Sequence, residues 1–220
     1  MKNSVIAFIP ARAGSKRIKN KNLKKINGNS LIDITIKQAI RSQVFKKIYL
    51  SSDSNKILNE GKKFGINCVK RKSEFSNDQT SMESTLHNFL INEKINAQYI
   101  VILQPTSPLR ETKTIKKFLN YCKKKKLKKC LTVSIMQDQI SFHNKYFIPL
   151  HNYGIRRSQN RKKYIYENSL LYFLEVKNFL KTKTIYKKKW PYFVTNRYES
   201  LDINDKNDYN FLKKIKNENI

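Results

Sequence analysis

Residues 5–22 read VIAFIPARAGSKRIKNKN. The first five form an apolar run, bounded by Pro and Gly, that is typical of a buried strand in a parallel sheet. Small residues in the loop that follows let backbone N–H groups approach phosphate oxygens, which basic side chains neutralise. Since open α/β sheets bind ligands beyond the carboxyl ends of their strands, we predict a phosphate-binding loop here rather than a solvated basic turn. The cations of this loop are Arg12, Lys16, Arg17, Lys19 and Lys21.

Apolar runs alternate with amphipathic segments along the rest of the chain. This alternation predicts an α/β fold, in which a mostly parallel sheet is covered by helices on both faces. The predicted strands are Val5–Ile9, Ile48–Leu50, Ile66–Val69, Tyr99–Leu103, Leu131–Ile135 and Ser169–Leu174. The predicted helices are Leu31–Ser42, Asn55–Phe64, Glu83–Glu93, Thr112–Cys122, Val176–Leu180 and Asp205–Lys216.

Residues from about 137 to 167 interrupt this alternation. The stretch contains Pro149, Gly154 and a cluster of basic residues interleaved with tyrosines. We interpret it as an arm inserted into a single domain that spans residues 1–220, a length sufficient for one full-sized core.

The net charge is unusually positive for a globular chain. Lys and Arg number 46 against 16 Asp and Glu, which gives +30. Such a balance is typical of proteins that bind nucleic acid or an anionic surface. The basic residues are mostly Lys, however, and they are spread through every segment together with abundant Asn and Ile. This distribution favours a compositional bias and solvated lysines over a dedicated binding surface.

Several classes of protein find little support in the sequence. No stretch has the length of a membrane span, and the N-terminus lacks the apolar core of a signal peptide. The cysteines have no metal-ligand spacing, and the histidines are scattered, so a zinc site or His-based catalysis is not indicated. Unpatterned cysteines favour reduced thiols and therefore a cytoplasmic protein. These residues are Cys68, Cys122, Cys130, His87, His143 and His151.

Four further segments carry polar residues at the ends of predicted strands or before a helix. Ser-Ser-Asp (51–53) follows the second strand, and LQPTSPLR (103–110) closes the fourth. YENSLLY (166–172) leads into the sixth strand, and SLDIN (200–204) precedes the last helix. In SLDIN, alternate residues of an extended segment point to the same side, so residues 202 and 204 can share a ligand.

Together these motifs resemble the acylneuraminate (CMP-sialic acid) synthetases and their bacterial legionaminate and pseudaminate relatives. The loop has neither the Gly-x-x-x-x-Gly-Lys-Ser/Thr nor the Gly-x-Gly-x-x-Gly spacing of other phosphate loops. It is similar instead to the Ala-Arg-x-x-Ser-Lys loop, followed by Lys-Asn, of this family. LQPTSPLR matches the family's strand end at all eight positions. The resemblance extends from Ile6 to about Tyr209 and implies a three-layer fold like that of nucleotide-diphospho-sugar transferases.

The resemblance implies an enzyme that activates a nonulosonic (sialic-type) acid with CTP, releasing pyrophosphate and the CMP-sugar. It assigns catalysis to Arg12, Lys21 and Asp202. The implied nucleotide-binding residues are Arg12, Ser15, Lys16, Asn22, Arg71, Asp78, Thr80 and Ser81. The implied sugar-binding residues are Gln104, Thr106, Ser107, Arg157, Gln159 and Asn168.

Several positions depart from the family pattern, among them Ser169, which replaces a Gly. Met82 replaces a Ser or Thr that is common beside the base, and Asn204 replaces the second of two metal-binding Asp residues. The implied metal ligands are therefore Asp202 and Asn204, holding Mg²⁺ or Mn²⁺, with the amide offering a neutral oxygen. The resemblance also implies that the inserted arm builds a homodimer, with CTP and an acidic nine-carbon sugar as substrates.

Alternatives stay open from the sequence alone. The acid is sialic or legionaminic by the match at 103–110, while pseudaminate or the eight-carbon Kdo remains an alternative. The basic and aromatic residues near Arg157 suit a basic RNA-binding module, although most aromatics fall at positions predicted to be buried. Ser51–Asp53 can act as a helix cap, and Asn204 or Asp205 can cap the last helix. We favour a cytidylyltransferase that binds neither nucleic acid nor membranes.

Overall fold

The computed structural model describes residues 4–75, 79–141, 145–150, 157–186 and 188–217. Its strands are β1 (Val5–Pro10), β2 (Lys25–Ile26), β3 (Asn29–Ser30), β4 (Lys47–Ser52), β5 (Asn67–Lys70), β6 (Tyr99–Leu103), β7 (Lys129–Met136), β8 (Tyr164–Glu175) and β9 (Tyr192–Val194). Its α-helices are α1 (Leu31–Ser42), α2 (Asn55–Lys62), α3 (Met82–Asn92), α4 (Thr112–Lys124), α5 (Val176–Thr182) and α6 (Lys206–Asn217). Short 3-10 turns occupy Lys21–Leu23, Ser73–Phe75, Ser158–Asn160 and Arg197–Ser200.

Seven of the strands form one sheet in the order β5-β4-β1-β6-β8-β7-β9. β1 lies parallel between β4 and β6, and β5 and β9 also pair in parallel with their neighbours. β8 alone runs antiparallel, pairing with β6 on one side and β7 on the other. Among the described residues between β7 and β8 there is no crossover helix, and antiparallel neighbours need none. The predicted α/β fold with a mostly parallel sheet is confirmed.

Helices cover both faces of this sheet. Along β1, Ala7 and Ile9 pack under α1, α2 and α4, in a core that includes Phe118. The alternate residues Ile6 and Phe8 pack on the other face, under α3 and α5. Burial on both faces explains why β1 reads as an uninterrupted apolar run. A third cluster, next to the phosphate-loop segment, consists of Ile18, Ile26, Leu31, Leu109, Ile203 and Leu212.

Three sheet segments differ from the prediction. Residues 164–167, which we predicted as part of the arm, are the first residues of β8 and pair with β7. Their side chains alternate between half-buried and exposed, so they lack the apolar run that marks the central strands. The β2–β3 hairpin and β9 were not predicted. The hairpin does have a signal in the sequence, the pair Asn27-Gly28. Both residues have positive φ, as a type I′ turn requires.

Two further expectations concern cysteines and membranes. All three cysteines are free thiols, two of them buried in the core. Within the described ranges, no helix combines the length and the apolar character needed to cross a membrane.

Gly61 offers a test of the packing between α2 and the sheet. A Cβ at this buried position would lie 2.6 Å from Leu50 Cδ2 and 2.8 Å from Cys68 Sγ. Overpacking of this kind costs about 1–3 kcal/mol, against a helix-propensity gain of about 1 kcal/mol from Gly to Ala. We expect Gly61→Ala to lower the free energy of unfolding, measured by urea denaturation. Asn59→Ala, at an exposed position of the same helix, is the control and leaves it unchanged or slightly raised.

Candidate functional site

A cleft of about 510 Å³ lies at the carboxyl ends of β1, β5 and β6. The loops that leave these strands form three of its walls, and the segment before α6 closes the fourth. This is where open α/β sheets bind ligands. Its lining residues are Pro10, Arg12, Ser15, Lys16, Arg17, Ile18, Lys21, Asn22, Arg71, Phe75, Thr80, Met82, Thr85, Gln104, Pro105, Thr106 and Asn204.

Two side chains fix the shape of the loop after β1. Asn22 is buried, and its Nδ2 donates to Arg12 O at 2.9 Å. Asp53, at the end of β4, accepts a hydrogen bond from the backbone N–H of Ala13 at 2.9 Å. These two hydrogen bonds favour the observed loop conformation, and such preorganisation aids phosphate binding.

Four cations of this loop line the cleft: Arg12, Lys16, Arg17 and Lys21. Lys21 is half-buried, and its Nζ donates to the carbonyl oxygen of Ile203 at 2.8 Å. Burial lowers the pKa of Lys21, and the nearby Asp202 carboxylate opposes this shift. Lys21 thus joins the phosphate-loop side of the cleft to the segment before α6. Lys19 is exposed and does not line the cleft.

Arg71 lies on the wall formed after β5. Its guanidinium is buried and donates to Ser51 O at 3.1 Å. This hydrogen bond orients the guanidinium toward the carboxyl end of β4. Burial lowers its pKa, and the Asp53 carboxylate opposes that shift. Thr80 lines the same wall, whereas Ser81 caps α3 by accepting from Ser84 N at 3.1 Å and does not line the cleft. Asp78, also predicted to bind the nucleotide, lies outside the described residues.

The turn after β6 supplies the opposite wall. Gln104 and Thr106 line the cleft, as the predicted sugar contacts require. Ser107 is fully buried, and its hydroxyl has no hydrogen-bond partner among the described residues. The turn is held from behind by Arg110, whose guanidinium donates to Gln104 O at 2.6 Å.

Besides Ser107, three predicted sugar-binding residues do not line the cleft. Asn168 is buried, and its amide joins β7 to the segment after β9, with Oδ1 accepting from Thr132 and Nδ2 donating to Thr195, both at 2.7 Å. Arg157 and Gln159 lie at an exposed turn, where Gln159 O accepts from Gln137 Nε2 at 3.1 Å. The structure does not bring these three to the cleft, and their contact with a sugar stays a prediction.

The segment before α6 carries the predicted metal ligands, Asp202 and Asn204. Asn204 lines the cleft, and its Nδ2 donates to Asp202 Oδ2 at 2.9 Å. Asp202 Oδ1 is buried and has no hydrogen-bond partner among the described residues. Asp205 is the cap of α6, because its Oδ1 accepts from the N–H groups of Asn207 and Asp208. The capping alternative therefore applies to Asp205.

These residues fit a metal ion that would be held partly by the protein and partly by the phosphates of a ligand. Over the described residues, no three His, Cys, Asp or Glu side chains converge in a group that could hold a metal by themselves. Mg²⁺ is commonly held by one or two carboxylates together with substrate phosphates. The unpartnered oxygen of Asp202, beside an amide at the rim of a cationic cleft, matches that donor set.

Several lining residues were not predicted from the sequence. Phe75, Met82 and Thr85 form a mostly apolar wall next to Arg71 and Thr80. Nothing in the sequence around Phe75 marks it, since the loop that carries it has no periodicity. Arg17 had a signal, because it belongs to the basic loop after β1.

Comparison with known proteins agrees with this geometry. A family model described as cytidylyltransferase matches residues 6–220. The pseudaminic acid cytidylyltransferase of Campylobacter jejuni is 30% identical over 225 residues, which cover 97% of this chain and 95% of that protein. The N-acylneuraminate cytidylyltransferase of Streptococcus agalactiae serotype V is 29% identical over 216 residues, which cover 93% of this chain. The chain spans about half the length, 51%, of that second relative.

Solved structures show the same fold. A CMP:2-keto-3-deoxy-manno-octonic acid synthetase complexed with CTP superposes with a TM-score of 0.74 and 14% identity, over 99% of this chain and 100% of that one. The resemblance drawn from the sequence motifs is confirmed by these matches. Because the family match runs from residue 6 to residue 220 and includes every wall of the cleft, this chain belongs to the cytidylyltransferase family.

Proposed function

We propose that this protein transfers CMP from CTP to a nonulosonic acid and releases pyrophosphate. The observation that carries this proposal is the convergence of two kinds of residue on one cleft. Cations from the loop after β1 suit a triphosphate, and Gln104 and Thr106 offer hydrogen bonds to a polyhydroxylated acid on the opposite wall. The two substrates would then meet between the walls.

The reaction is an in-line displacement at the α-phosphorus. The anomeric hydroxyl of the sugar loses its proton and forms a bond to the α-phosphorus, while the bond from that phosphorus to the bridging oxygen of pyrophosphate breaks. Arg12 and Lys16 hold the leaving pyrophosphate, and Lys21 neutralises charge that develops on the phosphates. No covalent intermediate with the protein is required.

Asp202 and Asn204 would hold Mg²⁺, or Mn²⁺, at the CTP phosphates. When bound, the ion supplies charge neutralisation on the phosphates. Asp202 contributes one anionic oxygen, and Asn204 contributes a neutral one and orients Asp202 through their shared hydrogen bond. Arg71, Thr80 and the apolar wall around Phe75 and Met82 hold the cytosine nucleotide in place.

We propose a sialic-type nine-carbon acid as the acceptor. Relatives of this chain are named for N-acylneuraminate, diacetyllegionaminic acid and pseudaminic acid, so each of these is a substrate to test. The eight-carbon acid Kdo belongs in the same panel, since a structural neighbour is named for it. We further propose a cytoplasmic homodimer that serves cell-surface glycan synthesis.

Purified protein should release pyrophosphate only when CTP, Mg²⁺ and a nonulosonic acid are all present. The measurement is a coupled pyrophosphate assay over the four acids and over CTP, UTP, ATP and GTP. Omitting the acid is the control for simple CTP hydrolysis. Folded protein that releases no pyrophosphate with any acid contradicts the proposed function.

A further inference from the structure

A buried carboxylate, Glu199, makes hydrogen bonds to the start of α4 and, among the described residues, to none that line the cleft. Glu199 belongs to the 3-10 turn Arg197–Ser200 and is 1% exposed. Its Oε1 accepts hydrogen bonds from Thr114 Oγ1 at 2.7 Å and from the backbone N–H of Glu111 at 3.2 Å. Glu199 therefore fastens its turn to the first residues of α4, where the helix dipole also favours a negative charge.

The same end of α4 follows the turn that carries the predicted sugar contacts. Arg110, the last residue of that turn, is fully buried and donates to Gln104 O at 2.6 Å, Leu170 O at 3.1 Å and Gln38 Oε1 at 3.0 Å. Burial lowers the pKa of Arg110 to about 9, and the charge of Glu199 opposes this shift. Arg110 thus holds the 104–110 turn, and Glu199 holds the start of the helix that follows it.

The two fastened segments meet at the cleft. Ile203 N donates to Thr106 O at 2.8 Å, and Ile203 O accepts from Lys21 Nζ at 2.8 Å. Asp202 and Asn204 flank this residue. Glu199 lies only three residues before Asp202. A shift of its turn would therefore move Asp202, Asn204 and the contact of Lys21 with Ile203 relative to Thr106.

Fold stability alone does not account for a charge at this position. Glu199 Oε2 is buried with no hydrogen-bond partner among the described residues. An unpaired buried oxygen costs stability, and a well-packed apolar side chain would avoid that cost.

We propose that Glu199 is a positioning residue that sets the spacing between the 201–204 segment and the 104–110 turn. It acts through its hydrogen bonds to Thr114 and Glu111 N, and it fixes the distance between Asp202 and Asn204 on one side of the cleft and Thr106 on the other. The kinetic part of this inference rests on the proposed function, whereas the structural part does not.

The first test measures hydrogen exchange at the Ile203 amide, by NMR, in the wild type and in Glu199→Gln. Because hydrogen bonds to charged groups are worth more than neutral ones, we expect exchange about tenfold to a hundredfold faster in the variant. The matched control is Glu111→Gln, which makes the same change at the same helix end in a carboxylate that pairs with Lys113 at the surface. It should leave the Ile203 amide as protected as in the wild type.

The second test separates positioning from general loss of structure. Glu199→Gln should raise KM for the sugar acid and lower kcat by about tenfold or more, while the Kd for CTP in the absence of both acid and Mg²⁺, measured by calorimetry, stays unchanged. Thr114→Val removes the 2.7 Å hydrogen bond and should show the same kinetic defect. Thr114→Ser keeps the hydroxyl and should retain wild-type kinetics. Should Glu199→Gln fail to fold, the Thr114 pair decides by itself.

The outcomes are distinct. Unchanged Ile203 exchange in Glu199→Gln or Thr114→Val overturns the inference, and so does an equal loss of CTP binding and turnover. A wild type that releases no pyrophosphate contradicts the proposed function, and the exchange measurement then still decides the role of Glu199.

Discussion

We expect the Lys21→Ala protein to turn over at least about a hundredfold more slowly than the wild type at saturating substrates, the usual scale for loss of one preorganised charge stabiliser. Lys21 is held in the cleft by Ile203 O; burial lowers its pKa, and the carboxylates of Asp202 and Asp208 oppose this shift. In the proposed reaction, removing the ammonium therefore takes away charge neutralisation at the phosphates of CTP. The measurement is initial-rate kinetics with the pyrophosphate assay, with circular dichroism to verify folding.

The control neutralises lysines that lie elsewhere. Lys124–Lys126 are exposed, and Lys123 is half-exposed, at the end of α4. Changing Lys123–Lys126 to Gln removes four positive charges and should leave turnover nearly unchanged, because most of the +30 charge is solvated surface. Equal losses in both proteins would contradict the phosphate-loop assignment. Tight RNA binding that weakens steeply with salt would favour the RNA-binding alternative.

The second large effect concerns the metal side of the cleft. Asp202→Ala should abolish most activity, because it removes the anionic oxygen that the proposed ion would bind. Its Oδ1 is buried with no hydrogen-bond partner among the described residues, so a bound ion would satisfy an oxygen that is otherwise unpaired. Wild-type turnover and unchanged magnesium dependence in this variant would place the metal elsewhere.

Asn204→Asp should have the opposite effect on metal affinity. Each added carboxylate raises the affinity of a site for a hard cation. Activity should persist, and the Mg²⁺ concentration for half-maximal rate should fall. A magnesium titration of wild type and variant measures this, together with Mn²⁺ binding followed by electron paramagnetic resonance in the absence of CTP. The control is Glu93→Gln, an exposed change at the far end of α3 that should leave the titration curve unaltered.

Much of the fold could be predicted from the sequence, because the central elements carry strong local signals. Val5–Ile9, Tyr99–Leu103 and the helix Leu31–Ser42 lie where their periodicity places them. Strands buried on both faces are apolar throughout, and amphipathic helices repeat every 3.6 residues, so neighbouring residues suffice to identify them. The basic loop and the 103–110 turn were equally visible, since each follows such a strand.

The remaining elements depend on contacts between residues distant in sequence. Tyr164–Glu167 and β9 are strands only because β7 lies beside them, and their mixed polarity gives no independent signal. Phe75 lines the cleft from the segment after β5, at a position that no local pattern marks. The positioning role of Glu199 depends on Thr114, which is 85 residues away.

The sequence by itself determined the positions of the buried strands along the chain, the composition of the phosphate loop and the family resemblance, because each resides in a short run of residues. Only the tertiary structure decided which predicted residues share one cleft. It placed Lys21 against Ile203, at a separation of 182 residues, and it placed Asn168 in a buried network away from the lining. The physical reason is that packing of helices on both faces of the sheet sets distances between segments, and no local pattern encodes those distances.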